Sequence, residues 1–197
     1  MMVNLCLAPY HRDMQLTELM DDIPSTTAAA LDLFDGLPAA ETDFMIGTWH
    51  GAELPTEHPM DGLLAASGWW GKQFVDAETV HPLLFPTPDG RALWPMNPAR
   101  AFSGVPLAAR VPSITSLPVA KPIAATRLLW RARSGKARLR TTRYRGVDSA
   151  TMLYDQLPIN DVFRQLSNDS VLGAMDMKGA DRPYFFVLRR NASLPVR

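Results

Sequence analysis

Apolar positions recur at helical spacing up to Gly36 and then switch to a period of two. In TTAAALDLFDG, Leu31, Leu33 and Phe34 form an apolar stripe that Thr26 or Thr27 can cap and Gly36 can end, which predicts an N-terminal helical segment within residues 1–43. In DFMIGTWHGAEL, Phe44, Ile46, Thr48 and His50 alternate with Met45, Gly47, Trp49, Gly51 and Glu53. That alternation predicts a strand with Trp49 and Glu53 on one face.

LPTEHP reads as a turn, because Pro55 and Pro59 remove backbone donors and push their predecessors towards extended geometry. After it, MDGLLAASGWWGKQFVDAE places Leu63, Leu64, Trp70 and Phe74 near helical spacing, so a helix is expected there despite Gly68 and Gly71. Residues 81–122 hold 9 of the 17 prolines, a density that argues against continuous helix or a central strand. Residues 82–122 are therefore expected to form a covering excursion or lid. Beyond it, RLLWRAR and KARLRTTRYRG read as a hairpin, DSATMLYDQ as a strand, PINDVFRQL as a short helix, and VLGAMDMKG and PYFFVLRR as further strands.

Together these elements predict an α+β, mainly β chain. After residues 1–43 comes one β-barrel-like domain over 44–197, made of 44–81, the excursion 82–122 and an antiparallel meander over 123–197.

Composition narrows the function classes. Lys plus Arg and Asp plus Glu are 20 each, so the overall attraction that drives nucleic-acid or anionic-membrane binding is missing. The single Cys6 excludes an internal disulfide framework and a Cys-based zinc cluster. No stretch approaches the length of a transmembrane helix, and the first residues lack the basic start of a signal peptide, so a cytoplasmic protein is the expectation. P-loop, G-x-G-x-x-G and G-x-S-x-G patterns are absent.

Candidate chemistry concentrates in GTWHGAELPTEHPMDG and the segment after it. Glu53, sharing a face with Trp49, could be a carboxyl whose pKa burial raises towards neutrality; a rim salt bridge is the plainer role. His58 sits in the turn, where it could reach back to a cavity or remain a surface group. Asp61 precedes GLLAAS as an expected helix N-cap. On a continuous helix Asp61 and Lys72 would share a face with Gly68, framing a polar strip suited to a carbonyl or carboxylate. Adjacent Trp69 and Trp70 would diverge, Trp70 joining the Leu63 and Phe74 stripe and Trp69 lining a pocket. Met152, Met175 and Met177 alternate with Tyr154 and Asp176 on the meander, as cavity lining or as ordinary core.

His50, Glu53, His58 and Asp61 are also metal-ligand types, but His50 and Glu53 project to opposite faces of a strand, so no metal is expected. The basic run Arg131, Arg133, Lys136, Arg138, Arg140, Arg143 and Arg145, with Trp130 and Tyr144 interleaved, raises nucleic-acid binding; a solvated outer sheet face fits neutral net charge better. Asp161 and Arg164 read as a local ion pair on the short helix.

Two of these segments resemble a known family. Gly47-Thr48-Trp49-His50-Gly51 fits the motif that names the GXWXG family, and RYRGVDSATMLYDQLPINDVFR is similar to the companion domain of unknown function that usually follows it. The Gly-x-Trp element near a first strand also resembles that of the lipocalin, fatty-acid-binding and nitrobindin barrels. That likeness implies an antiparallel lipocalin-like barrel with an N-terminal helix and a helical insertion, and a Trp closing the base of an apolar cavity.

The functional expectation combines both lines. A small apolar molecule, a lipid- or terpenoid-like carbonyl compound, would bind against Trp49, Trp69, Met152, Tyr154, Met175 and Met177. Glu53, His58, Asp61 and Lys72 would supply acid/base chemistry without a cofactor, such as double-bond isomerisation. A carrier or sensor with the same pocket, and haem binding through His50, His58 or His81, are the alternatives. Beyond the small molecule, a homodimer is left open, and neither nucleic acid nor membrane is an expected partner.

Overall fold

The computed structural model describes residues 26–102 and 127–197. Five helices are described: α1 Thr27–Gly36, α2 Thr42–Met45, α3 Leu63–Ser67, α4 Pro98–Phe102 and α5 Arg127–Trp130. The nine strands are β1 Gly47–Glu53, β2 Gly71–Phe74, β3 Val80–Pro86, β4 Leu93–Pro95, β5 Ala137–Tyr144, β6 Val147–Tyr154, β7 Ile159–Gln165, β8 Ser170–Met177 and β9 Tyr184–Arg190.

The strands form one sheet in the order β2-β1-β9-β8-β7-β6-β5-β3-β4, and an additional β2–β3 pairing joins its ends. All strands but β4 thus close an eight-strand antiparallel barrel, with β4 added alongside β3. The mainly β, barrel-like architecture expected from the alternating patterns is the one observed. Closure is thinnest between β3 and β5, which share the single pair Val80↔Ala137. Backbone bonds from Lys136 to Val80 and from Leu139 to Ala77, both 2.9 Å, extend that seam.

Two apolar clusters lie on the two faces of this wall. The larger fills the barrel with residues such as Trp49, Trp69, Phe74, Met152, Phe163, Met175 and Phe186. The smaller lies outside, where Ala30 and Phe34 of α1 cover Val162, Leu172, Phe185 and Val187. Thr26 caps α1 by accepting from the Ala29 amide, as its position predicts. Burying a Phe or Leu side chain in such a cluster contributes about 1.5–3 kcal/mol, so this outer cluster is enough to dock α1.

Four expectations are corrected. The helix after the LPTEHP turn stops at Ser67, because Gly68 takes a left-handed C-cap (φ 75°) whose amide bonds back to Ala65 and Leu64. The GWWGK stretch then becomes extended and Gly71–Phe74 is strand β2, so Asp61 and Lys72 share no helix face. PINDVFRQL contains strand β7, not a helix. RLLW is helix α5 rather than the first arm of a hairpin.

Finally, β3 runs through Pro82 and Pro86 inside the barrel wall. Pro82 falls where the register against β2 shifts between Gly71 and Gln73, and a bulge leaves a proline no ladder bond to lose, while Pro86 is the last residue of the strand. Residues 82–102 are thus partly built into the sheet; the rest of the expected excursion, 103–122, lies outside the described residues, as do residues 1–25 with Cys6.

Candidate functional site

The two glycines of GTWHG and the first glycine of GKQF are each explained by what a side chain would strike. A Cβ on Gly47, whose φ is 131°, would come within 2.8 Å of the Arg190 guanidinium. A Cβ on Gly51 would collide with the Trp69 ring, and one on Gly71 with the Trp49 carbonyl. These approaches lock one end of the barrel. Trp49 is fully buried, its indole N–H donates to the Met45 carbonyl at 2.8 Å, and Arg190 of the last strand stacks over it at 4.4 Å. Arg190 also donates to the Ile46 carbonyl at 2.6 Å.

Trp49 pairs with Lys72 across β1 and β2, so both side chains enter the barrel. The Lys72 ammonium lies 2.8 Å from the Asp161 carboxylate, and their side chains are only 4% and 1% exposed. It donates to the Pro82 carbonyl at 3.2 Å, a group that the β3 bulge supplies. Aromatic faces surround it: Phe186 at 4.8 Å, Trp69 at 5.4 Å and Tyr154 at 5.9 Å. Tyr154 and Asp161 are near enough for each to influence the other's titration.

Burial pushes the Asp161 carboxyl above its ordinary value, against the opposing pull of the Lys72 ammonium. Burial, and then the charge of Asp161, hold the Tyr154 phenol well above its usual value, so it stays a donor. The Trp69 indole N–H is buried without an acceptor among the described residues. The site therefore offers an acid, a base and an unused donor beside apolar walls.

A second polar group closes beside it. Glu53 also points inward, but its carboxylate receives the amides of Gly62, Leu64 (3.0 Å) and Ala65 (3.4 Å), capping α3 from a neighbouring strand. The Tyr184 hydroxyl is buried without a hydrogen-bond partner among the described residues, and burial, followed by the charge of Glu53, keeps that phenol far above its ordinary value. His58 is buried edge-on to Tyr184 at 5.3 Å, and its Nδ1 accepts the Met60 amide at 3.1 Å. Asp61 is not the N-cap of α3, which is Gly62; its carboxylate instead ties the turn by accepting from Thr56 and His58 amides at 3.0 and 2.9 Å.

The expected site residues thus divide. Trp49, Trp69, Lys72, Met152, Tyr154 and Met175 belong to the barrel interior, with Met177 packed against it, and Glu53 and His58 border it. Trp70 is the correction: it lies outside the core cluster and stacks on His50 at 4.9 Å. The sequence reading missed Asp161 as part of the centre. On strand β7, Asp161 opposes Met152 and Met175 and faces inward, whereas Arg164 lies on the outer face over Phe34 at 4.7 Å. Reading INDVF with a period of two puts Ile159, Asp161 and Phe163 on one face, a signal that was present.

No group of three or more His, Cys, Asp or Glu poised for a metal occurs among the described residues. Burial lowers the pKa of His50, His58 and His81. No helix among the described residues is long and apolar enough to cross a membrane.

Comparison with known proteins follows the same two segments. The family described as GXWXG protein matches residues 32–90, and the domain of unknown function DUF4334 matches residues 135–190. No curated protein matches the chain. A crystal structure of a protein from Thermomonospora curvata is similar, with 32% sequence identity and a TM-score of 0.61 over 84% of this chain and 87% of that one. The two motif segments and this relative together place the chain in the GXWXG family, with DUF4334 as its C-terminal part.

Proposed function

We propose that the barrel binds a small apolar molecule bearing a carbonyl group and that Lys72, Asp161 and Tyr154 perform acid/base chemistry on it. The observation that carries this reading is the Lys72–Asp161 pair, 2.8 Å apart and almost wholly buried. Desolvating two such charges costs several kcal/mol each, and their attraction often only breaks even against apolar packing. A buried pair with raised carboxyl pKa, enclosed by aromatic rings, is the arrangement that proton-transfer sites use.

The fitting reaction is a double-bond shift beside a carbonyl. Asp161 takes a proton from the carbon next to the carbonyl, the Lys72 ammonium and the Trp69 N–H stabilise the enolate oxygen, and the same proton returns further along the conjugated chain. Atoms balance with no cofactor. Glu53 is assigned the α3 cap in this scheme, because its carboxylate is already committed to backbone amides.

The test begins with native mass spectrometry of the purified protein and identification of any co-purifying compound, followed by isomerisation assays on that compound or on β,γ-unsaturated ketones. Asp161→Asn should bind normally and lose turnover on the order of 10²-fold or more. Full turnover by Asp161→Asn would end the acid/base reading. A carrier with the same interior is the second reading; it predicts unchanged affinity and no turnover in any variant.

A further inference from the structure

The seven-residue basic run splits into two groups. Arg138, Arg140, Arg143 and Arg145 each face a carboxylate, on Asp155, Glu78, Asp148 and Asp35 at 3.2, 2.5, 3.6 and 2.6 Å. Arg131 and Arg133 have no ion pair or hydrogen bond of their side chains among the described residues, and Lys136 meets only the Ser134 hydroxyl at 3.3 Å. These three converge on two adjoining grooves of about 540 and 350 Å³ on the outside of the barrel, which share Arg131, Ala132, Arg133 and Leu128.

Among the described residues, no Asp or Glu side chain lines either groove. Arg197 also lines the larger groove, and Arg100, which donates to the Leu129 carbonyl, lines the smaller one beside Arg131, Arg133 and Lys136. In the larger groove, His81 of β3 presents a buried Nδ1 that has no hydrogen-bond partner among the described residues. Leu128, 79% exposed, forms an apolar lip shared by both grooves. A chain of zero net charge has here placed the guanidinium groups of Arg131 and Arg133, which have no carboxylate partner among the described residues, around a concave surface, which concentrates positive potential where field lines focus.

We infer that this double groove binds an organic phosphate or diphosphate, the anion on the Arg131 and Arg133 forks and the apolar tail against Leu128. Planar guanidinium groups match phosphate oxygens two at a time, which favours phosphate over a lone carboxylate. Flanking arginines already neutralised by acids limit the positive field to the groove, which favours a small anion over a nucleic-acid strand.

Isothermal titration of the full chain with inorganic diphosphate, an alkyl diphosphate, acetate and a short single-stranded oligonucleotide tests this at low and moderate salt. Diphosphate should bind and the alkyl diphosphate more tightly, with acetate silent. Arg131→Gln and Arg133→Gln should each weaken binding about tenfold, while Arg138→Gln, whose partner is Asp155, should leave it within about twofold. All three positions are exposed, and a thermal melt confirms that each variant folds. Failure to bind diphosphate at millimolar concentration overturns the inference, as does equal weakening in Arg138→Gln. Tighter binding of the oligonucleotide than of the alkyl diphosphate also overturns it. Because Lys72 and Asp161 are buried inside the barrel, Asp161→Asn should bind diphosphate unchanged, which separates this site from the interior one.

Discussion

Neutralising one member of the Lys72–Asp161 pair is a different perturbation from neutralising both. Lys72→Met leaves a carboxylate, and Asp161→Asn an ammonium, in an interior where neither can be hydrated. Each single change should cost about 3–5 kcal/mol in urea unfolding, while Lys72→Met combined with Asp161→Leu should recover much of the loss because apolar packing replaces two desolvated charges. Equal additive losses in the double variant would mean that the pair holds the fold together rather than serving a site. Lys72 was legible as a site candidate, though by way of a helix that does not form. Asp161 was not, because a carboxylate and an arginine three positions apart look like helical neighbours, and only the pairing of β7 with β6 and β8 turns them to opposite faces.

Elements were read best where one period ran without interruption. The Trp49 strand and β5 alternate buried with more exposed positions, whereas β8 and β9 are buried on both faces and are legible from their apolar runs between turn residues. Misreadings fell on short elements whose ends are set by backbone devices. Gly68 stops α3 after one turn, the β3 bulge accommodates Pro82, and Glu53 caps α3 from nine or more residues upstream. That last contact makes a testable distinction. Glu53→Gln keeps an acceptor but removes the charge from a helix N-terminus, so it should cost about 0.5–2 kcal/mol of stability. Turnover should stay within a few-fold of the parent; loss by orders of magnitude would return the base role to Glu53.

Across the whole molecule, the direction of pH dependence follows from groups in separate places. Burial lowers the pKa of His50 beside Trp70, His58 against Tyr184 and His81 in the outer groove wall. Below the ordinary histidine value of about 6.5 the unfolded chain binds protons that the folded chain refuses, so stability present above that pH is lost as pH falls through the folded values. Asp161 acts in the opposite sense: its raised pKa favours the folded state at low pH, and that contribution is lost as pH rises through its folded value. Asp35, held low by Arg145, sides with the histidines but only near and below the ordinary aspartate range. Three histidines against one carboxyl predict that the urea midpoint rises from pH 5 to pH 7. His58 should carry much of the slope, since protonating its Nδ1 breaks the bond from the Met60 amide in a buried position. His58→Gln should therefore flatten the profile. A midpoint that falls over this range, or one that His58→Gln leaves unchanged in slope, would show that these rings are hydrated in solution and that the turn carrying His58 does not stay packed on Tyr184.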